Sequence, residues 1–319
     1  MAENKREILP IKEKIAQHRW NFEGRSIPMG IGCAWVSEYY NESDEGVRLL
    51  DRAYEEGFRY FDTSRSYGSS ELVVGEFLKH IARKSIFLST KSHFQPHMLG
   101  AAAFSRFRQN FFESFERLGV DHIDLFLIHD TEQIDSCWKD VIPFLREQKE
   151  KGLIDYIGLG TRRLGAHREA ILTGAIDASE AYLTYSLLKR SAESTIQLAA
   201  SKNNAYINAS LLHFGVIKDK ELPEKIAKST GHHRQELVNS LKMQELCKEM
   251  GVDIVAASLQ FSMLNPDVDI VLNGIHRMSN IDSTIRSMRE VIYPDQWRRI
   301  FELQRQDPCM FEENVSTWY

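Results

Sequence analysis

A single (β/α)8 TIM barrel of the α/β class is the fold this sequence predicts, and three observations predict it. Short apolar runs alternate with amphipathic stretches along the chain. Eight such runs can be counted, near residues 30, 60, 88, 126, 157, 181, 207 and 270. The runs are apolar on both faces, as parallel strands covered by helices require. At 319 residues the chain can form one large barrel, and no internal repeat or low-complexity linker marks a second domain. The expected organisation is one domain over 1–319, with a barrel core at about 25–290 and a loop insertion at 210–234. A helix and tail over 291–319 are expected to lie over the barrel, together with an amino-terminal hairpin.

In chain order, Trp20 to Met29 reads as a hairpin turning at Glu23-Gly24, and Met29-Gly30-Ile31-Gly32 as the first barrel strand. Gly30 and Gly32 are read as close-packing glycines, because GxG without a third glycine in register is a poor phosphate loop. Residues 44–56 set Val47, Leu50 and Ala53 or Tyr54 on one helical face, and Gly57 stops that helix. A strand over 58–61 delivers Asp62 into a polar loop carrying Tyr67. The alternation continues with helix 72–82, strand 85–91, helix 104–118, strand 122–129, helix 138–151 and strand 154–160. Next come helix 165–173, strand 180–182, helix 193–201 and strand 205–209. Helices 235–250 and 254–263, strand 268–272 and helix 280–288 close the pattern.

A net charge of −5 gives no general basic field for nucleic acid or an anionic membrane, so a small molecule is the expected partner. Cys33, Cys137, Cys247 and Cys309 lie far apart without a CxxC pair, which reads as free thiols in a reducing compartment. The charged amino terminus lacks the apolar core of a signal peptide and no stretch is long and apolar enough to span a bilayer, so the cytoplasm is the expected location. Oligomeric state is left open.

In a barrel the carboxyl ends of all strands face one mouth, where residues remote in sequence converge. Asp62 and Tyr67 follow the second strand, Lys91 the third and His129 the fourth. Together they form a proton-handling set. A phenol with a pKa of ~10 is too weak an acid near neutrality unless an ammonium such as Lys91 favours its phenolate. The ammonium needs a counter-charge, which Asp62 supplies. A histidine such as His129 orients a substrate oxygen and stabilises charge developing on it.

These motifs are recognisable. Gly57-Phe58-Arg59-Tyr60-Phe61-Asp62-Thr63 through Tyr67-Gly68-x-x-Glu71 and Gly75, then Lys91 and Asp124-Leu125-x-x-x-His129, closely resemble the aldo-keto reductase superfamily. The resemblance runs from about residue 25 to 290 and implies that Asp62, Tyr67, Lys91 and His129 are a catalytic tetrad, with Tyr67 the general acid for carbonyl reduction and the base for alcohol oxidation. It also implies a nicotinamide cofactor bound without a separate dinucleotide domain, with NADP(H) favoured and NAD(H) the alternative. The Gly-Val-Ser-Asn usual after strand five reads Gly158-Leu159-Gly160-Thr161 here, leaving Thr161 to hold the carboxamide. A common glutamine of strand six corresponds to Tyr182, and the stacking tyrosine of strand seven falls at Asn208-Ala209, for which Phe214 is the candidate replacement. Gly274, His276, Arg277 and Asn280 resemble the strand-eight exit, a phosphate site at a helix amino terminus where the Arg277 fork suits a 2′-phosphate.

Trp35, Phe94 and Trp318 are expected to line the substrate pocket. The segments 208–215 and 314–319 resemble the aldose and L-galactose dehydrogenase branch, which implies an aldose oxidised at its anomeric carbon. No metal is expected: Pro96 breaks the helical spacing of His93 and His97, and His232-His233 reads as a solvated pair. The competing function is a nucleotide-binding, redox-sensing partner protein with little turnover.

Overall fold

The structure, a computed structural model, describes residues 8–37, 43–94, 100–129 and 134–313, with the side chains of 43 and 134–138 outside that description. Trp318, His97, the Cys137 side chain and the 314–319 segment therefore lie outside the described residues.

The chain opens with helix α1 (Ile11–Ala16) and a hairpin of β1 (Trp20–Phe22) and β2 (Arg25–Ile27). Glu23 and Gly24 turn the hairpin with φ of 52° and 77°, the left-handed pair a two-residue turn demands. The barrel strands are β3 (Met29–Gly32), β4 (Tyr60–Asp62), β5 (Phe87–His93), β6 (Ile123–His129), β7 (Ile154–Gly160), β8 (Ala178–Tyr182), β9 (Ala205–Ala209) and β10 (Ile270–Gly274). They pair in parallel and close in the order β10-β3-β4-β5-β6-β7-β8-β9, the eight-stranded closed barrel the sequence predicts. Around it lie α2 (Ser43–Glu55), α3 (Ser70–Leu78), α4 (Gly100–Leu118), α5 (Ile134–Glu150), α6 (Leu164–Leu172) and α7 (Glu193–Ser201). After β9 come α8 (Leu222–Lys228), α9 (Gly231–Met250) and α10 (Ile254–Met263), and after β10 come α11 (Met278–Arg289) and α12 (Pro294–Arg305).

Two apolar layers result. Tyr60, Phe87, Leu125, Tyr156, Ile207 and Ile270 fill the barrel interior, and Phe61, Phe77, Phe107, Phe111 and Phe126 fill the space between strands and helices. Ile11 and Ile15 of α1 join the inner layer beside residues that open their strands, so α1 closes the amino end of the barrel. The Tyr156 hydroxyl fixes it there by donating to the Leu9 carbonyl at 2.6 Å. Six residues with two buried apolar side chains carry too little periodicity for a sequence reading to find this helix.

The remaining differences are local. The expected loop at 210–234 instead contains a 3-10 turn over His213–Lys218 and the seven-residue α8, whose first turn holds Pro223. Strands β4, β5 and β10 sit up to two residues later than their apolar runs suggest, because pairing register rather than hydropathy sets where a strand ends. Asp62 is consequently a strand residue rather than a loop residue, and Lys91 lies within β5 rather than at its end.

Three motif residues outside the tetrad act as fold clamps. Glu71 on α3 accepts from the Thr90 hydroxyl at 2.8 Å and from Arg117 Nε at 3.0 Å, tying α3 to β5 and α4. Asp124 accepts from the Leu88 amide at 2.9 Å and from Arg83 at 2.6 Å. Gly75 lets α3 and α4 meet, since a Cβ there would stand 2.5 Å from the Arg117 carbonyl oxygen.

Candidate active site

Asp62 ends β4, and Ser89 on β5 donates to its Oδ1 at 2.7 Å. The other carboxylate oxygen is paired with Lys91 Nζ. Lys91 is fully buried inside the barrel; its ammonium also donates to the Thr63 carbonyl at 3.2 Å and meets Glu180 Oε1 of β8 at 3.0 Å. Gly160 makes room for this, because a Cβ there would be only 3.3 Å from Lys91 Cδ. Burial alone would discharge the lysine, but the charges of Asp62 and Glu180 outweigh it and hold its pKa well above the ordinary value.

The loop after β4 is bonded to β5: Thr63 N–H donates to the Ser89 carbonyl and Arg65 N–H to the Lys91 carbonyl, each at 2.9 Å. Arg65 is in turn anchored on Glu113 of α4 at 2.7 Å. This holds the half-buried Tyr67 ring with its centroid 5.3 Å from Lys91 Nζ and 5.6 Å from the His129 ring, nearly perpendicular at 87°.

His129 ends β6 and is neutral, its pKa pushed well below the usual value by burial and then by Lys91. Its Nδ1 lies 3.1 Å from Ser66 Oγ and 3.2 Å from Ser64 Oγ. Ser64 also has the Lys91 carbonyl as acceptor at 3.2 Å and the Ser66 amide as donor, and the two hydroxyls lie 2.8 Å apart, so Ser64, Ser66 and Nδ1 form one hydrogen-bonded chain whose direction sets the histidine tautomer. When the chain runs from Ser64 through Ser66 to Nδ1, the ring carries its proton on Nε2. Asp62, Tyr67, Lys91 and His129 thus converge, and Glu180, Ser64, Ser66 and Ser89 complete the cluster. Glu180 was legible only as the acid that opens the expected strand 180–182, and the serines carried no signal apart from their nearness to Asp62.

The other expected site residues distribute unevenly. Trp35 meets Phe214 edge to face at 6.5 Å and lies beside Gly274, so these three come together. Phe214 is exposed and sits at φ 52°, next to His213 at 46° and Gly215 at 92°, a left-handed run rare for residues with side chains. Thr161 is buried, its amide donating to the Glu180 carbonyl at 3.1 Å. Tyr182 ends β8 with the Arg162 guanidinium 5.5 Å over its ring. Asn208 points outward, donating to the Tyr185 carbonyl and to Ser262 at 2.8 Å each, while Ala209 packs against the inner layer. Phe94 stands apart, buried and stacked on Phe107 of α4 at 5.1 Å.

At the exit of β10 the exposed Gly274 leads into α11 with Arg277 as its exposed amino-terminal cap residue. Asn280 Oδ1 accepts the amides of His276 and Arg277 at 3.0 and 3.1 Å, and Arg277 Nε donates to the neutral His276 ring at 2.9 Å. A pre-formed turn, a helix amino terminus and an accessible guanidinium fit a phosphate-bearing cofactor. Among the described residues, Cys33, Cys247 and Cys309 are free thiols, and no helix is long and apolar enough to cross a membrane.

Comparison with known proteins agrees with this geometry. An L-galactose dehydrogenase of Arabidopsis thaliana is 27% identical over 275 residues, covering 82% of this chain and 84% of that protein. A D-threo-aldose 1-dehydrogenase of a Pseudomonas species is 27% identical over 290 residues, covering 81% and 88%. Among solved structures, an aldo-keto reductase from Bacillus halodurans in its holo form superposes with a TM-score of 0.68 at 19% identity, covering 92% of this chain and 98% of that one. The model described as the Aldo/keto reductase family matches residues 28–305. With the barrel matched from its first strand to its last, the chain belongs to the aldo/keto reductase family and is an oxidoreductase acting on carbonyl compounds.

Proposed function

We propose that the chain catalyses reversible interconversion of a sugar or small alcohol with its carbonyl form, an aldose oxidised at its anomeric carbon being the leading case. The observation that carries this reading is the buried Lys91 ammonium between Asp62 and the Tyr67 ring. Its positive charge favours the phenolate and so lets Tyr67 give and take a proton near neutral pH. His129, neutral with its proton on Nε2, donates to the substrate oxygen and stabilises charge developing there. The nicotinamide, when bound, exchanges a hydride with the substrate carbon. Thr161 and Tyr182 are the candidates to hold its carboxamide end, and the Trp35–Phe214 pair offers the aromatic surface that Ala209 does not.

NADP(H) is favoured over NAD(H) because Arg277, at the cap of α11, presents a planar fork suited to a 2′-phosphate. The sugar assignment is supported by the two sugar dehydrogenases that align over about four-fifths of the chain. The test is a screen of aldoses, aldehydes and ketones with NADP(H) and NAD(H), followed by nicotinamide absorbance. Aldose-dependent reduction of NADP+ is expected; efficient reduction of simple aldehydes with no sugar oxidised would overturn the sugar assignment. Tyr67→Phe should lower turnover by about 10²–10⁴-fold while NADPH still quenches the protein's fluorescence. Arg277→Glu should weaken NADP(H) binding relative to NAD(H), and an unchanged preference refutes the phosphate role.

A further inference from the structure

Lys91 is claimed by two carboxylates, and its charge matches only one of them. Asp62 accepts from Ser89 as well as from the ammonium, whereas Glu180 has the ammonium on Oε1 alone. Its Oε2 is buried and, among the described residues, accepts no hydrogen bond. The groups facing Glu180 are Asp62 and Tyr60 of β4 and Lys91 of β5; its pairing neighbours, Gly160 of β7 and Ile207 of β9, bear no ionisable group. Two carboxylates and one ammonium would leave an uncompensated negative charge in a dry barrel, and like charges at one site avoid this by retaining a proton.

We propose that Glu180 is a positioning residue that holds a proton at neutral pH, its carboxyl O–H donating from Oε2 to Asp62, and that losing this proton weakens the hold of Lys91 on Tyr67. The first half stands on the geometry; the effect on turnover rests on the proton role proposed for Tyr67. Burial and the Asp62 charge push Glu180 up to about 8, against a smaller lowering by Lys91. Below that pH, Asp62 and Lys91 balance and the remaining field of the ammonium reaches the Tyr67 ring. Above it the Glu180 proton goes to solvent, a second negative charge falls on Lys91, and Tyr67 becomes a weaker acid for carbonyl reduction.

Infrared difference spectroscopy on the chain without added nucleotide reads the proton directly. A protonated-carboxyl C=O band is expected at pH 7, fading as the pH passes about 8 and missing from Glu180→Gln. No such band at pH 7, or an unchanged band in Glu180→Gln, overturns the proposal. Should Glu180→Gln not fold, Asp62→Asn serves. Removing the neighbouring charge should move the fading of the band down by roughly one pH unit or more, and an unmoved titration overturns the pairing.

Turnover supplies the second reading. The wild-type reduction rate should fall along an alkaline limb centred near 8, and Glu180→Gln should lose that limb. An identical limb in both proteins overturns the coupling to Tyr67. Failure of the proposed function shows separately, as full activity in Tyr67→Phe with the infrared band unaffected.

Discussion

An ammonium inside a barrel is stable only while its counter-charges stay, so Lys91 is the residue whose loss should be felt most. Lys91→Met leaves Asp62 and Glu180 facing each other without it. Turnover should vanish, and stability at pH 7 should fall by ~3 kcal/mol in urea unfolding. A deficit below ~1 kcal/mol would contradict the account. Ser66 is the second residue with a distinct role. Ser66→Ala removes the nearer of the two hydroxyls at His129 Nδ1, so histidine NMR should show a changed tautomer and turnover should drop about tenfold without loss of folding. An unchanged tautomer would return the ring's orientation to packing alone.

Helices and strands were legible where their patterns are long. Val47, Leu50 and Ala53 of α2 are buried as their spacing predicts, and β3, β9, α7 and α10 match their expected limits. The short α1 and α8 were not visible, since fewer than two turns give no reliable period. Gly75 shows why element contacts cannot be read from propensity. Alanine should favour a helix by ~1 kcal/mol over glycine, yet a Cβ at 75 meets backbone of α4 at 2.5 Å, and backbone cannot move aside cheaply. Gly75→Ala should therefore destabilise by about 1–3 kcal/mol, with a lowered unfolding midpoint. A stabilised variant would mean that α3 and α4 separate more easily than their packing implies.

Across the whole molecule, buried neutral histidines set the acid limit of the fold. His167 donates through Nε2 to the Thr161 carbonyl at 2.9 Å, and burial holds its pKa down at about 4. Burial, then Lys189, lowers His213, bonded to Ser186 at 2.5 Å, to about 3. The unfolded chain protonates both rings below about 6.5 while the folded chain does not, so their stabilisation is present above that pH and is lost as the pH falls toward 4 and 3. At pH 5 the loss should be ~2 kcal/mol per ring, seen as a lower urea midpoint than at pH 7 and reduced when both are replaced by glutamine. Ile15, fully buried at the closed end, should cost about 2–4 kcal/mol as Ile15→Ala. The sequence by itself determined the barrel and the strand ends that carry Asp62, Tyr67, Lys91 and His129. Both depend on local periodicity and residue type, which lie in the order of the letters. Only the tertiary structure decided that Glu180 shares Lys91, that Ser66 faces His129, that Trp35 meets Phe214 and that α1 closes the barrel floor. Each of these joins residues from different segments of a closed sheet, and their meeting depends on register and closure, which no single segment encodes.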